Sequence, residues 1–360
     1  MCLKLDFQTA LSKHYIMVKF NFEIMKNVKF ILGLALFMLF VSCKKEETTN
    51  SYFNSDDTGI KNGGVKMVTI ETPKGKFKVW TKRFGNNPKI KLLLLNGGPG
   101  MSHEYFECME SFLPKEGIEF IYYDQLGTGF SENPNDTLLW DLPRYVEEVE
   151  QVRVALKLNK DSFYVLGHSW GGILAMQYAL KYQNNLKGLI VSNMMASCPK
   201  YGEYSKVLEK QMNPEVLKTI KDLEAKKDFS NPKYMELLMA NFYNQHILRL
   251  PVNEWPEPVN RAFSRLNSSL YITMQGPSEL GLSGKLTHWD VSKELKNIKI
   301  PTLVIGAKHD TMDPEYMKWM ATQFKNGTYL YCANGSHMSM YDDQQTYMNG
   351  LIQFLKKGNE

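Results

Sequence analysis

Gly167-His168-Ser169-Trp170-Gly171-Gly172 follows an apolar run, Ser162 to Leu166, and leads directly into a helix-forming segment. A strand that delivers a serine onto a turn flanked by glycines has the pattern of a nucleophile elbow. Side chains at the flanking positions would collide with neighbouring backbone, so glycine lets the turn close sharply and hold the serine hydroxyl at the top of a sheet. The bare pattern also occurs in ordinary turns, and its surroundings decide between the two readings.

Upstream, Lys91-Leu92-Leu93-Leu94-Leu95 reads as a buried strand running into Asn96-Gly97-Gly98-Pro99-Gly100. Such a glycine loop suits an oxyanion hole, which needs preorganised backbone N–H groups close to the reacting atom. The backbones of Gly98 and of Trp170, the residue after the serine, are the expected donors. A plain strand-ending turn would use the same residue types.

A serine nucleophile also needs a base, and the base needs an acid to fix its tautomer and stabilise the imidazolium. Lys299 to Gly306 reads as a strand followed by Asp310, and Thr328 to Cys332 as a strand followed by Gly335-Ser336-His337. Of the seven histidines, His337 is the expected base because it alone follows the last strand in a short polar loop. His309 is its main competitor, and Asp313 competes with Asp310 for the acid. His168 should point back into the fold, while His103 and His246 are candidates for shaping the pocket. The chain order Ser169, Asp310, His337 is the α/β-hydrolase order.

Strands at Leu92 to Asn96, Phe120 to Asp124, Phe163 to Gly167 and Leu189 to Ser192 alternate with helical stretches such as Leu142 to Leu158 and Gly172 to Tyr182. That alternation predicts an α/β fold with a mostly parallel sheet and flanking helices. Its site would lie at the carboxyl ends of the strands. An edge hairpin is expected from Val65 to Ile70 and Lys76 to Phe84 around Pro73-Lys74-Gly75. Between residues 193 and 285 the alternation gives way to helix-like segments, Val207 to Lys227, Pro232 to Leu248 and Val259 to Leu270, read as an inserted helical cap. Phe242, Tyr243, Trp255 and Tyr271 are its candidate pocket aromatics. The hydrolase core would then comprise residues 65–192 and 286–360.

Four segments resemble the proline iminopeptidase family of serine α/β-hydrolases: Asn96 to His103, Tyr123-Asp124-Gln125-Leu126-Gly127-Thr128-Gly129-Phe130-Ser131, the serine elbow, and Gly276-Pro277-Ser278-Glu279. The resemblance runs from about Lys66 to the C-terminus, with Asn96 in place of the family's usual histidine. It implies a serine aminopeptidase that releases proline or another small apolar residue from the N-terminus of short peptides, and it needs no cofactor. It also implies that Glu279 binds the substrate's free amine. The family's second amine-binding carboxylate, immediately after the catalytic aspartate, is Thr311 here. An esterase or amidase on the same scaffold is the alternative, and a catalytically inactive surface-binding lipoprotein is the reading from another class.

The chain has 360 residues, is 43% apolar, and carries a formal net charge of +5. Residues 1–42 hold five lysines against Asp6 and Glu23, which leaves only +2 for the remainder and no basic stripe suited to nucleic acid. The cysteines, Cys2, Cys43, Cys108, Cys198 and Cys332, form no C-x-x-C pair, and no metal site is expected. Whether Cys108, Cys198 and Cys332 include a disulfide is open.

Lys26 and Lys29 precede the apolar run Phe30 to Val41, which ends in Ser42-Cys43. This has the layout of a signal peptide, and a cysteine right after it resembles a bacterial lipobox, with Cys43 lipidated. Phe40 departs from the leucine usual there. The compact signal begins at Met25, with residues 1–24 an upstream extension, and residues 43–64 are polar enough for a flexible tether. The expected location is the bacterial cell envelope, anchored to the membrane through Cys43.

Overall fold

The structure, a computed structural model, describes residues 64–359. The signal segment, Cys43 and nearly all of the expected tether lie outside the described residues.

Five strands from the middle of the chain are buried along their whole length: β3 (Lys91–Leu95), β4 (Glu119–Asp124), β5 (Phe163–His168), β6 (Gly188–Ser192) and β7 (Thr302–Ala307). Near-continuous apolar runs such as Leu92 to Leu95 are what a strand covered on both faces requires. Alternate residues serve opposite cores: Leu93, Leu95, Val165 and Val191 pack on one face of the sheet, Leu92, Leu94, Leu166 and Ile190 on the other. β1 (Gly64–Thr72) and β2 (Gly75–Phe84) form the edge hairpin, closed by Pro73-Lys74 with Gly75 at φ +115°. β8 (Gly327–Cys332) is the other edge.

The eight strands are ordered β1-β2-β4-β3-β5-β6-β7-β8, with only β1, β2 and β4 joined antiparallel. Because β3 and β5 to β8 run parallel, their carboxyl ends share one rim of the sheet. The segments that follow them carry Gly98, Ser169, Asn193, Asp310 and His337.

Between β6 and β7 the chain is mainly helical as far as Met274, but its breaks differ from those expected. Val207 to Lys227 is not one helix: it splits into Cys198–Glu209 and Pro214–Ala225. Asn213 caps the second, accepting from the N–H groups of Glu215 and Val216, and Pro214 starts it at a position where no N–H is needed. Val259 to Leu270 likewise splits into Glu257–Ser264 and Ser268–Met274 at Asn267, whose side chain accepts from Leu270 N. Asn267 also donates its backbone N–H to Gly100 O at 3.0 Å, so this break sits against the glycine loop after β3. Helix Glu257–Ser264 packs on the 3₁₀ segment His103–Ser111, where Arg261 makes paired bonds to Glu107 at 2.9 and 2.8 Å and Arg265 pairs with buried Glu104.

Candidate active site

Ser169 stands at the β5-to-helix corner with φ +54° and ψ −126°, a conformation costly for any residue with a Cβ, and Trp170–Tyr182 begins at once. The surrounding glycines are sterically obligatory. A Cβ on Gly167 would lie 2.0 Å from Gly171 O, one on Gly171 would lie 2.0 Å from Leu95 O, and one on Gly172 would lie 2.7 Å from Met194 Cβ. The corner is pinned by Ser169 N donating to Ser192 O at 3.0 Å and Gly172 N to Ser169 O at 2.7 Å. Ser169 Oγ has no hydrogen-bond partner among the described residues and opens onto a cavity.

His337 lies in the same cavity, and its Nδ1 is 2.7 Å from Asp310 Oδ1. The carboxylate accepts, so Nδ1 carries the proton and Nε2 is left as a base. Burial opposes charging the His337 ring, but Asp310, by charge and hydrogen bond, raises its pKa above the ordinary imidazole value. Asp310 is fully buried and saturated: Oδ1 also accepts from Met312 N at 3.1 Å and Thr311 Oγ1 at 3.3 Å, and Oδ2 from Asn193 Nδ2 at 2.7 Å. Asp313 has a different task, capping helix Pro314–Gln323 by accepting from Glu315 N. His309 makes no ring bond to Asp310; its N–H goes to Gly335 O at 3.0 Å.

Asn193 was invisible as a site residue in the sequence. It follows β6 in the left-handed region, φ +52°, fully buried. Besides Asp310 it donates to Ser336 O at 3.2 Å, and its Oδ1 accepts from Ser192 Oγ at 2.8 Å and Ser339 Oγ at 3.2 Å. An asparagine just past a strand end, where left-handed backbone is tolerated, was the only signal available.

The glycine loop presents Gly98, at φ +79°, to the cavity. Gly97 N–H is already used, donating to Tyr105 Oη at 2.7 Å, whereas the N–H groups of Gly98 and Trp170 donate to no protein acceptor among the described residues. The Asn96 side chain is buried and donates to Met101 O, bracing the loop. Gln125 links the two halves, donating to Asn96 O at 3.1 Å and accepting from Trp170 Nε1 at 2.8 Å. Asp124 bolts the same motif by accepting from His103 N at 2.8 Å and Phe130 N at 2.9 Å.

The cavity holds about 480 Å³. Glu279 lines it and is oriented by two phenols, Tyr271 Oη at 2.6 Å from Oε1 and Tyr201 Oη at 3.0 Å from Oε2. Of the expected aromatics, Tyr243 and Tyr271 line the cavity; Phe242 and Trp255 do not, being packed into the second core, and the wall is completed instead by Phe229, Tyr234 and Phe263. His103 and His246 are not wall residues either. His103 is stacked on Trp80 and bonded to Asp124, and His246 contributes its carbonyl, which accepts from His337 N at 2.9 Å. Thr311 is fully buried with Oγ1 within 3.3 Å of both Asp310 Oδ1 and His337 Nδ1, so position 311 faces the acid and base and not the cavity. Cys108, Cys198 and Cys332 are unpaired.

Residues 91–344 match the alpha/beta hydrolase fold family. The chain is 61% identical over 295 residues to the proline iminopeptidase of Flavobacterium johnsoniae, covering 82% of this chain and 99% of the relative. The chain belongs to the proline iminopeptidase family. The enzyme of that name from Chitinophaga pinensis is 58% identical over 294 residues, covering 81% of this chain and 98% of the relative. Among solved structures, VinJ superposes with a TM-score of 0.75 at 27% identity over 81% of this chain and 98% of its own. The proline iminopeptidase of Mycobacterium smegmatis gives 0.71 at 25% identity, covering 82% and 98%. The eight-stranded sheet is therefore that of an α/β hydrolase, and the chain is a serine hydrolase of the proline iminopeptidase family.

Proposed function

We propose that this chain is a serine aminopeptidase that releases proline, or another small apolar residue, from the free N-terminus of short peptides. One observation carries the reading: a carboxylate, Glu279, is held by Tyr201 and Tyr271 in the same cavity that receives Ser169 and His337. An ammonium group bound there places a scissile carbonyl one residue away, which suits exopeptidase cleavage. The relatives' name supports the choice of proline.

In this mechanism His337 Nε2 takes the Ser169 proton as Oγ attacks the carbonyl, while Asp310 stabilises the imidazolium. The tetrahedral oxyanion is received by the free N–H groups of Gly98 and Trp170. His337 then protonates the departing amine, and water releases the amino acid from the acyl-enzyme by the reverse sequence. Catalysis calls on no cofactor.

A charge-assisted hydrogen bond contributes roughly 1.5–3 kcal/mol, or about 10- to 100-fold in kcat/KM. Glu279→Gln should lower turnover of unblocked prolyl substrates by that factor and hardly change hydrolysis of a small neutral ester. Equal loss on both would reassign the chain to general esterase or amidase chemistry. Ser169→Ala should cut kcat on the order of 10⁶-fold, as in other serine triads. We propose further that the chain is a cell-envelope lipoprotein acylated at Cys43. Loss of membrane partitioning and of fatty-acid labelling in Cys43→Ser tests this, and a wild-type protein that is never acylated refutes it.

A further inference from the structure

The cavity is charged at two places. Among its lining residues Glu279 is the sole carboxylate and Lys227 the sole ammonium. Depth separates the residue sets: Ser169, His168, His337 and Tyr271 are buried, whereas Lys227, Ser230, Met235 and Ser268 are exposed and mark the mouth. Between them the wall is apolar, formed by Phe229, Phe263, Leu266 and Ile272 among others.

Lys227 is held at the mouth by its backbone. It ends the helix Pro214–Ala225 with φ +56°, its N–H donating to Glu224 O at 3.0 Å while Asp228 N reaches back to Leu223 O at 3.0 Å. Helix ends of this type usually take glycine, because a residue with a Cβ is strained in the left-handed conformation. Glu224 ties this turn to the loop of Glu279, accepting from Tyr234 Oη at 2.9 Å and from Ser278 Oγ at 3.1 Å. Two lysines of the same helix are engaged, Lys221 with Glu209 at 2.7 Å and Lys218 with Asp222 at 3.0 Å, and of Lys226 and Lys227 only Lys227 lines the cavity. Lys227 has no ion pair among the described residues.

We propose that Lys227 binds the C-terminal carboxylate of a short zwitterionic peptide whose amine is at Glu279 and whose second residue packs on the apolar wall. The inference rests on the aminopeptidase reading above and narrows its substrate to free-acid di- and tripeptides. Each added residue moves the carboxylate by about 3.3–3.6 Å, so one peptide length should fit best.

The test compares kcat/KM for proline-initiated di-, tri- and tetrapeptides ending in leucine, each as free acid and as C-terminal amide. Turnover of prolyl p-nitroanilide, which has no carboxylate, normalises each variant. At the best length the wild-type enzyme should prefer the acid by about 3- to 5-fold, the contribution of an exposed ion pair. Lys227→Gln should bring the ratio to about one, Lys227→Glu should invert it, and added salt should shrink it in the wild type. A wild-type ratio near one for both the di- and the tripeptide, or a ratio that survives Lys227→Gln, overturns the proposal while leaving the aminopeptidase reading intact. Failure of the wild type to cleave any unblocked prolyl substrate, with esters still hydrolysed, overturns both.

Discussion

His168 Nε2 lies 2.9 Å from the backbone carbonyl oxygen of His337. A carbonyl can only accept, so Nε2 carries the hydrogen. Burial pushes the His168 ring down to about 3, which keeps it neutral and leaves Nδ1 as an acceptor. Tyr105 Oη, 3.2 Å away, donates to that nitrogen and in turn receives Gly97 N–H at 2.7 Å. One directed chain of hydrogen bonds thus joins the glycine loop to the backbone of the base.

Tyr105→Phe removes the middle of this chain and leaves Gly97 N–H and His168 Nδ1 buried without partners. Expected are a fall in kcat of roughly 10-fold, equivalent to about 1.4 kcal/mol, and a KM within about twofold of wild type. His168→Leu should behave similarly, and the double variant should be little worse than either, because residues in one network are non-additive. Steady-state kinetics on the four proteins decides it; simple multiplication of the two losses would contradict the linkage.

Asn193→Gly tests the support of the acid. Glycine accepts φ +52° freely, so the backbone is not what the variant disturbs. Asp310 Oδ2 loses its donor at 2.7 Å, and kcat should fall by about 10-fold or more with KM little changed. An unaltered kcat would show that Met312 N and Thr311 Oγ1 suffice to orient the carboxylate.

The pH profile follows from the raised pKa of His337. As general base the ring must be neutral, so activity is lost on the acid side when Nε2 is protonated. A raised pKa moves that loss to higher pH: the acid limb of kcat/KM should lie above the unperturbed value of about 6.5. A limb midpoint at or below that value, measured on a substrate that does not itself titrate there, would mean that burial outweighs Asp310.

Two glycine-to-alanine changes should have opposite effects on stability. Gly171→Ala places a Cβ 2.0 Å from Leu95 O, beyond relief by side-chain adjustment, and should exceed the about 1–3 kcal/mol of ordinary overpacking. Gly202, inside helix Cys198–Glu209, has open space around it, and Gly202→Ala should stabilise by about 0.5–1 kcal/mol. Denaturant midpoints of the two variants against wild type provide the measurement.

Thr311 shows where a family pattern misleads. The family resemblance implies that a carboxylate there would meet a substrate amine, but the loop after β7 turns this side chain onto Asp310 and His337. Glutamate at 311 would set like charge against the acid, so Thr311→Glu is expected to damage the triad without sharpening preference for a free amine.

The elbow, the glycine loop, the buried strands and the Ser-Asp-His order were legible because each follows from local constraints: steric exclusion at Gly167 and Gly171, and apolar runs that require cover on both faces. The helical breaks at Asn213 and Asn267 were misplaced because an amphipathic pattern continues across a cap, and asparagine is compatible with either. Tertiary structure alone decided what supports the site. Tyr105 meets His168 across 63 residues and Asn193 meets Asp310 across 117, and neither pair leaves a periodicity in the chain. Such bonds depend on which strand ends the sheet order brings together, β3 beside β5 and β6 beside β7. Apolar spacing determines that strands form and are buried; the partners of polar groups at their ends are set only when the parallel sheet assembles.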